Sequence, residues 1–409
     1  MDTHNPLTTP LTTSSRRGFL RTAAMLSAAA AVGRILGEPE LARAERLKMP
    51  PYVEGAIYIN ANENPLGPSE AARRAATDAI SLGGRYREDL TEKLEELFAA
   101  QNNLNPDFVM AFSGSSQPLH YSVLAFCGPQ RPLVIADPGY EAGMMAARSC
   151  GAPVFKVPLA KDYSHDVRAM CEASPHAGAF YICTPNNPTG TVTRRQQLEY
   201  ALEHKPQGSI LIVDEAYLHF SDEPSALDMV AAGKDVVVLR TFSKLYGMAG
   251  LRLGLVAARP DLLEKIFMQG GWTMCPVTAV AAGMASLSDK ELVPRRRREL
   301  ATLRAEVFEW LTRKGFPFVP SVSNCFMLDT GRPTAQVIHA MQQRGIYIGR
   351  AWPAWPTHVR ITIGTAEEMR RFQTAYEQVM AMKTLSKVEP LPGRLTDAPF
   401  KTRRYRKLG

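Results

Sequence analysis

The feature that most restricts the fold of this chain is a series of short apolar runs that alternate with stretches of helical character. Segments such as QPLHYSVLAF and RRQQLEYALEHK have the helical pattern and separate the runs. Alternation of strands with helices is typical of a mostly parallel sheet covered by helices. The pattern predicts an α/β domain over residues 76–288. The runs with the length and composition of buried strands are residues 108–112, 133–136, 153–157, 179–183, 210–213 and 236–239.

Beyond residue 288 the pattern changes. A long, charged amphipathic helix begins near residue 290, and short strands and a helix, AEEMRRFQTAYEQVMAM, follow it. This predicts a second, smaller α+β domain over residues 289–385, to which an N-terminal arm, residues 45–75, contributes. Residues 386–409 are predicted to form an extended or disordered basic tail. The predicted strands of the smaller domain are residues 325–329, 347–348 and 359–363.

The first 44 residues do not have the character of a folded segment. Residues 15–20, SRRGFL, precede an alanine-rich apolar region, and residues 42–44, ARA, fit a small-x-small cleavage site. This order resembles a twin-arginine (Tat) export signal, a pathway that carries folded proteins. We therefore expect residues 1–44 to be a Tat signal peptide and the mature chain to be periplasmic. The alternative is an N-terminal extension that happens to contain two arginines, which would leave the protein in the cytoplasm.

Composition argues against several classes of function. The chain has 409 residues, of which 45% are hydrophobic, and a net charge of +8. That length allows a large core and more than one domain. The basic clusters lie in the leader and the tail without a nucleic-acid motif, so no nucleic-acid partner is expected. No apolar run outside the leader is long enough for a transmembrane helix. The six cysteines have neither Cys-x-x-Cys spacing nor a histidine cluster, so no metal is expected, whereas one or two disulfides stay open.

Two polar motifs follow predicted strands of the α/β region. FSGSSQ places the hydroxyls of Ser115 and Ser116, with backbone amides, at the start of a helix, where phosphates commonly bind. TPNNPTG places Asn187 at the carboxyl end of a strand, where open α/β sheets bind their ligands. Both motifs are also compatible with ordinary turns.

Two further motifs carry charge. LIVDEAY ends an apolar strand on Asp214, a carboxylate that needs a partner when buried, such as a protonated ring nitrogen, a helix terminus or a core cation. RTFSKLYGMAGLR places Lys244 near Thr241, Ser243 and Arg252. A desolvated lysine near another cation has a lowered pKa and can form a Schiff base with an aldehyde, while the hydroxyls and the arginine suit a phosphate. The alternative is a surface lysine at a turn.

Taken together, the four motifs specify a phosphorylated aromatic aldehyde with a protonated ring nitrogen, which is pyridoxal 5'-phosphate. The chain resembles the fold-type I, class I/II aminotransferases, and among them the histidinol-phosphate aminotransferase-like family, over roughly residues 60–380. The resemblance implies a large domain with a mostly parallel seven-stranded sheet and a smaller α+β domain. It rests on NANENPLGPS, VRITIGT, Arg85-Tyr86 and the spacing of Asn187, Asp214, Tyr217, Lys244 and Arg252.

The resemblance also implies a role for each catalytic residue. Lys244 would form the Schiff base, an internal aldimine, and would move the proton between the substrate and the cofactor. Asp214 would keep the ring nitrogen protonated, which makes the ring an electron sink. Asn187 and Tyr217 would bind the phenolic oxygen of the cofactor, and Tyr140 would stack on its ring.

Phosphate and substrate would be bound by further residues that the resemblance indicates. Tyr86 would reach the phosphate from the partner subunit, so the active unit would be a homodimer. Arg360 would bind the substrate carboxylate in bidentate fashion, and Arg350 and Asn64 are further candidate substrate ligands. The phosphate ligands from the same chain would be Ser115, Ser116, Thr241, Ser243 and Arg252.

Several residues depart from the pattern of the family. Ser116 stands where the family usually has an acidic residue, and Arg87 stands where proline is common. The stretch GGW, residues 270–272, is unusual at the entrance of such a site. Trp352 and Trp355 could line an aromatic or amphipathic substrate pocket or pack at a domain edge, and packing is slightly favoured because tryptophan is mostly buried. These departures concern the substrate rather than the cofactor.

The predicted activity is the transfer of an amino group from an amino acid to a 2-oxo acid by a ping-pong mechanism. Histidinol phosphate is not the expected donor, because histidine synthesis belongs in the cytoplasm and the chain has the features of an exported protein. A lyase, decarboxylase or oxidase on the same scaffold is the alternative, since the cofactor supports all of these reactions. A non-enzymatic binding module is a third possibility, against which the intact Lys244 argues.

Overall fold

The computed structural model describes residues 52–270 and 274–385, which lie within one compact unit, Pro51–Glu389. The predicted signal peptide, the basic tail and most of the GGW stretch lie outside the described residues. Within the described ranges, no helix has the length and apolar character that crossing a membrane requires.

The strands and helices follow the alternation seen in the sequence. The strands are β1 (Ile57–Ile59), β2 (Val109–Phe112), β3 (Leu133–Asp137), β4 (Val154–Pro158), β5 (Ala179–Cys183), β6 (Ile210–Asp214), β7 (Val236–Thr241), β8 (Gly254–Ala257), β9 (Phe318–Val319), β10 (Cys325–Asp329), β11 (Ile346–Ile348), β12 (Ala351–Trp352) and β13 (Trp355–Thr362). The helices are α1 (Glu70–Ala79), α2 (Glu88–Gln101), α3 (Ser116–Phe126), α4 (Ala142–Ser149), α5 (Val167–Glu172), α6 (Arg195–His204), α7 (Leu227–Ala231), α8 (Pro260–Phe267), α9 (Val277–Ser288), α10 (Leu292–Lys314), α11 (Thr334–Gln342) and α12 (Ala366–Ala381).

The main sheet has seven strands in the order β2-β8-β7-β6-β5-β3-β4. Only β8 runs antiparallel to its neighbours, β2 and β7, and the other pairs are parallel. This confirms the predicted α/β class with a mostly parallel seven-stranded sheet. The six strands predicted from apolar runs are present with ends shifted by no more than two residues, whereas β8 was missed because its four residues begin with glycine and have no strand-like length.

A smaller part of the chain has its own sheet and core. Strands β12-β13-β10-β9 form an antiparallel sheet, and β1 pairs in parallel with β11. Ile57 and Ile59 of the N-terminal arm join a hydrophobic core whose other members lie between residues 307 and 379. This confirms the smaller α+β part, although β13 begins four residues earlier than predicted. The proposed domain boundaries at residues 76, 289 and 385 stay predictions.

Local signals account for the ends of several helices. Ser69 caps α1 by accepting a hydrogen bond from the amide of Ala72, and Thr365 and Glu368 form a reciprocal capping box at the start of α12. The long helix α10 ends at Gly315, whose φ of 68° is left-handed and therefore favours glycine.

The parallel strands bring the polar motifs to one edge of the main sheet. Strands β5, β6 and β7 are buried at every position, which explains their continuous apolar sequences. Because the carboxyl ends of parallel strands meet at the same edge, Asp214 at the end of β6 and Lys244 just beyond β7 are neighbours there.

Candidate active site

Lys244 is held in a desolvated position at this edge. Its Nζ donates a hydrogen bond to the carbonyl oxygen of Ala61 at 3.3 Å and lies 5.7 Å from the centre of the Tyr217 ring. Burial, and then the charge of Arg360, lower the pKa of the Lys244 amine to about 8. An amine with such a pKa is partly neutral near physiological pH and can act as a nucleophile and a base.

Asp214 lies buried beside it with neutral hydrogen-bond donors. Its Oδ2 accepts a hydrogen bond from the Tyr181 hydroxyl at 2.8 Å, and its Oδ1 accepts one from the amide of Ala216 at 3.0 Å. Burial raises the pKa of the carboxyl to about 6, against the opposing effects of these donors and of Lys244. A buried carboxylate whose hydrogen-bond donors are neutral is a favourable partner for a cationic ring nitrogen.

Tyr181 was not identified from the sequence, because it stands inside the apolar run of β5 and has the pattern of a core residue. Its hydroxyl is fully buried, and its pKa lies well above the usual value because of burial and the neighbouring Asp214. The hydroxyl therefore remains protonated and acts as a donor to the carboxylate.

The side chain of Tyr217 is held by Asn62, a residue of the N-terminal arm. Its hydroxyl accepts a hydrogen bond from Nδ2 of Asn62 at 3.0 Å, and the backbone amide of Asn62 donates to the hydroxyl of Thr362 at 2.9 Å. Asn62 was missed as a site residue, although it belongs to NANENPLGPS. Its φ of 54° is left-handed, which asparagine tolerates better than most residues, so the motif contained a usable signal.

Arg360 and Asn187 form a hydrogen bond with each other in this site. The guanidinium of Arg360, on β13, donates to Oδ1 of Asn187 at 2.8 Å and to the carbonyl oxygen of Asn60 at 2.6 Å. Arg360 is only 6% exposed, and its Nε is a buried donor without a partner among the described residues. A buried guanidinium with neutral partners and a free N–H favours binding of an anion.

The other two predicted substrate ligands contact the protein itself. Arg350 forms an ion pair with Glu141 at 2.5 Å. The amide of Asn64 donates to the carbonyl oxygen of Leu245 at 2.9 Å and so holds the turn that follows Lys244. Their roles as substrate ligands stay predictions.

A cradle suited to a phosphate lies where β2 leads into α3. The Nη1 of Arg252 lies 3.3 Å from Oγ of Ser243, and its Nη2 donates to the carbonyl oxygen of Ser113 at 3.4 Å. The amide of Ser243 donates to Oγ1 of Thr241 at 3.1 Å. Ser115 occupies the N-cap of α3, so hydroxyls, a guanidinium and a helix N-terminus meet here.

The remaining predicted residues differ in their placement. The hydroxyls of Ser116 and Tyr140 lie 3.3 Å apart, which joins the cradle to the loop after β3. Tyr86 is 80% exposed. Trp352 is only 1% exposed, which agrees with the packing role that the sequence favoured.

Replacing Gly114 with alanine is expected to weaken cofactor binding, with the dissociation constant rising about 10-fold or more. The φ of Gly114 is +87°, and a Cβ at this position would overlap Nη2 of Arg252. Titration of the cofactor-free protein with pyridoxal phosphate measures the effect. Gly250→Ala is the matched control, since a Cβ at Gly250 meets nothing within 4 Å. Equal affinities of the two variants would contradict the assignment of the cradle.

Comparison with known proteins identifies a family and relatives for this chain. The family model for aminotransferases of class I and II matches residues 55–375. A histidinol-phosphate aminotransferase of Symbiobacterium thermophilum is 36% identical over 350 residues, which cover 81% of this chain and 97% of that protein. An aromatic amino acid aminotransferase of Cutibacterium acnes is 30% identical, with coverage of 80% and 93%.

Solved structures share the fold. The crystal structure of histidinol-phosphate aminotransferase from Sinorhizobium meliloti in complex with pyridoxal-5'-phosphate superposes with a TM-score of 0.73 at 24% identity. The match covers 80% of this chain and 90% of that one.

The chain belongs to the class I and II aminotransferases. It is a pyridoxal-phosphate-dependent transaminase. The residues present fit this cofactor. Along one edge of the sheet lie the buried carboxylate of Asp214, whose hydrogen-bond donors are neutral, the desolvated Lys244, and the phosphate cradle around Arg252. When bound, the cofactor supplies an electron sink for reactions at the α carbon of an amino acid.

Proposed function

We propose that this site transfers the amino group of an α-amino carboxylate to a 2-oxo acid, with Arg360 binding the carboxylate and Lys244 moving the proton at the α carbon. The observation that carries the proposal is the free Nε of the buried Arg360. The charge of Arg360 also contributes to the lowered pKa of Lys244, so the two groups lie within electrostatic reach of each other.

Each residue then has a defined task. Arg360 orients the substrate by two parallel hydrogen bonds to its carboxylate. Lys244 would hold the aldehyde carbon of the cofactor and would accept and return the α proton of the substrate. Asp214, held in place by the Tyr181 hydroxyl, would keep the ring nitrogen protonated, and Tyr217 would bind the phenolic oxygen.

The compound that donates the amino group can be identified by experiment. Of the activities that the names of the relatives print, transamination of aromatic amino acids fits this proposal, because histidinol phosphate has no carboxylate for Arg360 to bind. A panel of donors added to the cofactor-loaded protein tests the proposal by absorbance, since a true donor converts the bound cofactor to its amino form. A 2-oxo acid must then reverse the change and yield a new amino acid. Release of carbon dioxide or hydrogen peroxide instead would favour the decarboxylase or oxidase alternative.

The proposed active unit is a homodimer in which Tyr86 reaches the phosphate of the partner subunit. Its exposure in the single chain supports this, as does a neighbouring exposed side chain, Ile80, at 66%. Tyr86→Phe is expected to raise the dissociation constant of pyridoxal phosphate about 5-fold, because one hydrogen bond to a charged group is lost. Sedimentation should give the mass of a dimer for both proteins. A monomeric, fully active protein would contradict the proposal.

We also propose that the protein is exported by the Tat pathway and acts in the periplasm. The paired arginines, the apolar region and the small-x-small site of residues 1–44 support this proposal. Fractionation of cells that express the full chain tests it, with a variant whose arginines 16 and 17 are both replaced by lysine as the control. Equal amounts of both proteins in the cytoplasm would contradict it.

A further inference from the structure

The side-chain amide of Asn62 is held in one orientation by its neighbours. Its Oδ1 accepts a hydrogen bond from the hydroxyl of Thr362 at 3.1 Å, and its Nδ2 donates to Oη of Tyr217 at 3.0 Å and to Sγ of Cys325 at 3.1 Å. The backbone amide of Asn62 also donates to Oγ1 of Thr362 at 2.9 Å. Because this oxygen accepts there, the threonine keeps its own proton to donate to Oδ1. Thr362 therefore fixes which end of the amide faces Tyr217.

The backbone of Asn62 is fixed as well. Its carbonyl oxygen accepts a hydrogen bond from Nδ2 of Asn324 at 3.1 Å, and the residue is only 1% exposed. The two side chains that hold the amide, Thr362 and Cys325, stand opposite each other in the pairing of β10 with β13. The smaller sheet thus presents the N–H groups of this amide to a tyrosine at the edge of the main sheet.

The contact decides the direction of the hydrogen bonds of Tyr217. An amide N–H can only donate, so Oη of Tyr217 is the acceptor. Burial raises the pKa of the Tyr217 phenol well above its usual value, so the phenol keeps its proton. Within the described ranges, the O–H of Tyr217 has no acceptor. Its proton is therefore available to an acceptor that binds in the site.

We propose that Asn62 is a positioning residue: by donating to Tyr217 it reserves the proton of Tyr217 for the phenolic oxygen of the cofactor. If the amide were reversed, the O–H of Tyr217 would donate to Oδ1 of Asn62 instead. Hydrogen bonds in a chain also polarise one another, so the bond from Asn62 makes Tyr217 a stronger donor. This inference rests on the proposed function, in which Tyr217 binds the phenolic oxygen.

The test is the pH at which the visible absorbance of the bound cofactor changes, measured in the absence of substrate. A hydrogen bond to the phenolic oxygen stabilises negative charge there, which weakens the support for a proton on the nitrogen joined to the aldehyde carbon and lowers the pKa of the change. Asn62→Gly removes the amide without backbone strain, because glycine readily adopts the φ of 54°. N62G is expected to raise this pKa by about 0.5 unit or more. Tyr217→Phe should raise it at least as much, and N62G/Y217F should equal Y217F, since Asn62 acts through the tyrosine.

Two further variants distinguish the orientation of the amide from general packing. Thr362→Val keeps the shape of the side chain but removes the donor to Oδ1, so the amide can turn, and the pKa is expected to rise as in N62G. Cys325→Ala is the matched control, because it removes only the second acceptor of Nδ2. Burial raises the pKa of the Cys325 thiol, so this change removes an uncharged group, and the pKa of the absorbance change should stay at the native value.

The outcomes are separable because N62G and T362V leave the ionisable groups around Tyr217 unchanged. These groups are Lys244, Arg360, Cys183 and Cys325. An unchanged pKa in N62G, or the same shift in the presence and absence of the Tyr217 hydroxyl, would overturn the inference while donors still convert the bound cofactor. If N62G does not fold, T362V decides by the same criterion. Equal shifts in C325A and T362V would show a packing effect and would also overturn it. Failure of every donor with the native chain would refute the proposed function and the inference with it.

Discussion

Replacing Lys244 with alanine is expected to lower kcat for transamination about 10³-fold or more, because the proposed function gives this one side chain two tasks, to hold the cofactor and to move the α proton. Steady-state turnover with an active donor measures the loss. The visible absorbance of the bound cofactor should also change, because Lys244 is the amine proposed to hold its aldehyde carbon. Addition of methylamine supplies a free amine and is expected to restore part of the activity.

The loss should not result from unfolding, because other groups hold the turn that carries Lys244. The carbonyl oxygen of Leu245 accepts hydrogen bonds from Asn64 at 2.9 Å and from Nη1 of Arg296 at 2.9 Å. Gly247 is packed against the backbone of Gly67 so closely that a Cβ there would overlap it. None of these contacts uses the lysine side chain.

The matched control for this variant is Lys265→Ala, which removes an exposed lysine of α8. It should retain native turnover and the native melting temperature. A K244A protein that folds and turns over at the native rate would refute the central role of this lysine. A K244A protein with an unchanged absorbance spectrum would refute its bond to the cofactor.

The main sheet could be predicted because its strands are buried on both faces and therefore have continuous apolar sequences. Lys244, Asp214 and Asn187 could also be found, since Asp214 ends such a strand, the other two follow one, and a polar side chain is unusual there. In the sequence, these polar residues stand out because they come where a continuous apolar run of a buried strand stops. The ends of the strands then indicate which side chains share the edge.

The remaining parts of the site depend on contacts that no local pattern contains. Asn62 meets Thr362 across 300 positions of sequence, so only the folded chain brings them together. Tyr181 has the pattern of a core residue until its hydroxyl is seen beside Asp214. The Glu141–Arg350 pair is likewise hidden, because it joins a loop of the main sheet to the connection between β11 and β12 of the smaller part.

Replacing Arg360 with glutamine is expected to lower kcat/KM for amino acid donors roughly 10²–10³-fold, because a bidentate, charge-assisted contact to the α-carboxylate is lost. The reason lies in the native contacts of the guanidinium, which is buried, bonded to neutral oxygens and left with a free Nε. The most direct measurement compares phenylalanine with phenethylamine, the same donor without its carboxylate. The native chain should prefer phenylalanine strongly, and R360Q should nearly abolish that preference.

The affinity for the cofactor is measured alongside, because Arg360 donates to Asn187, a predicted cofactor ligand, whereas the phosphate cradle around Arg252 lies on other elements. Arg370→Gln is the matched control, because Arg370 is an exposed arginine of α12 that pairs with Glu367 at 2.7 Å. It should retain the native preference for phenylalanine. If R360Q lowers the rates with phenylalanine and phenethylamine by the same factor, Arg360 stabilises the site in general and does not bind the carboxylate. A loss confined to phenylalanine indicates a direct contact between the carboxylate and the guanidinium, as the free Nε of the buried Arg360 predicts.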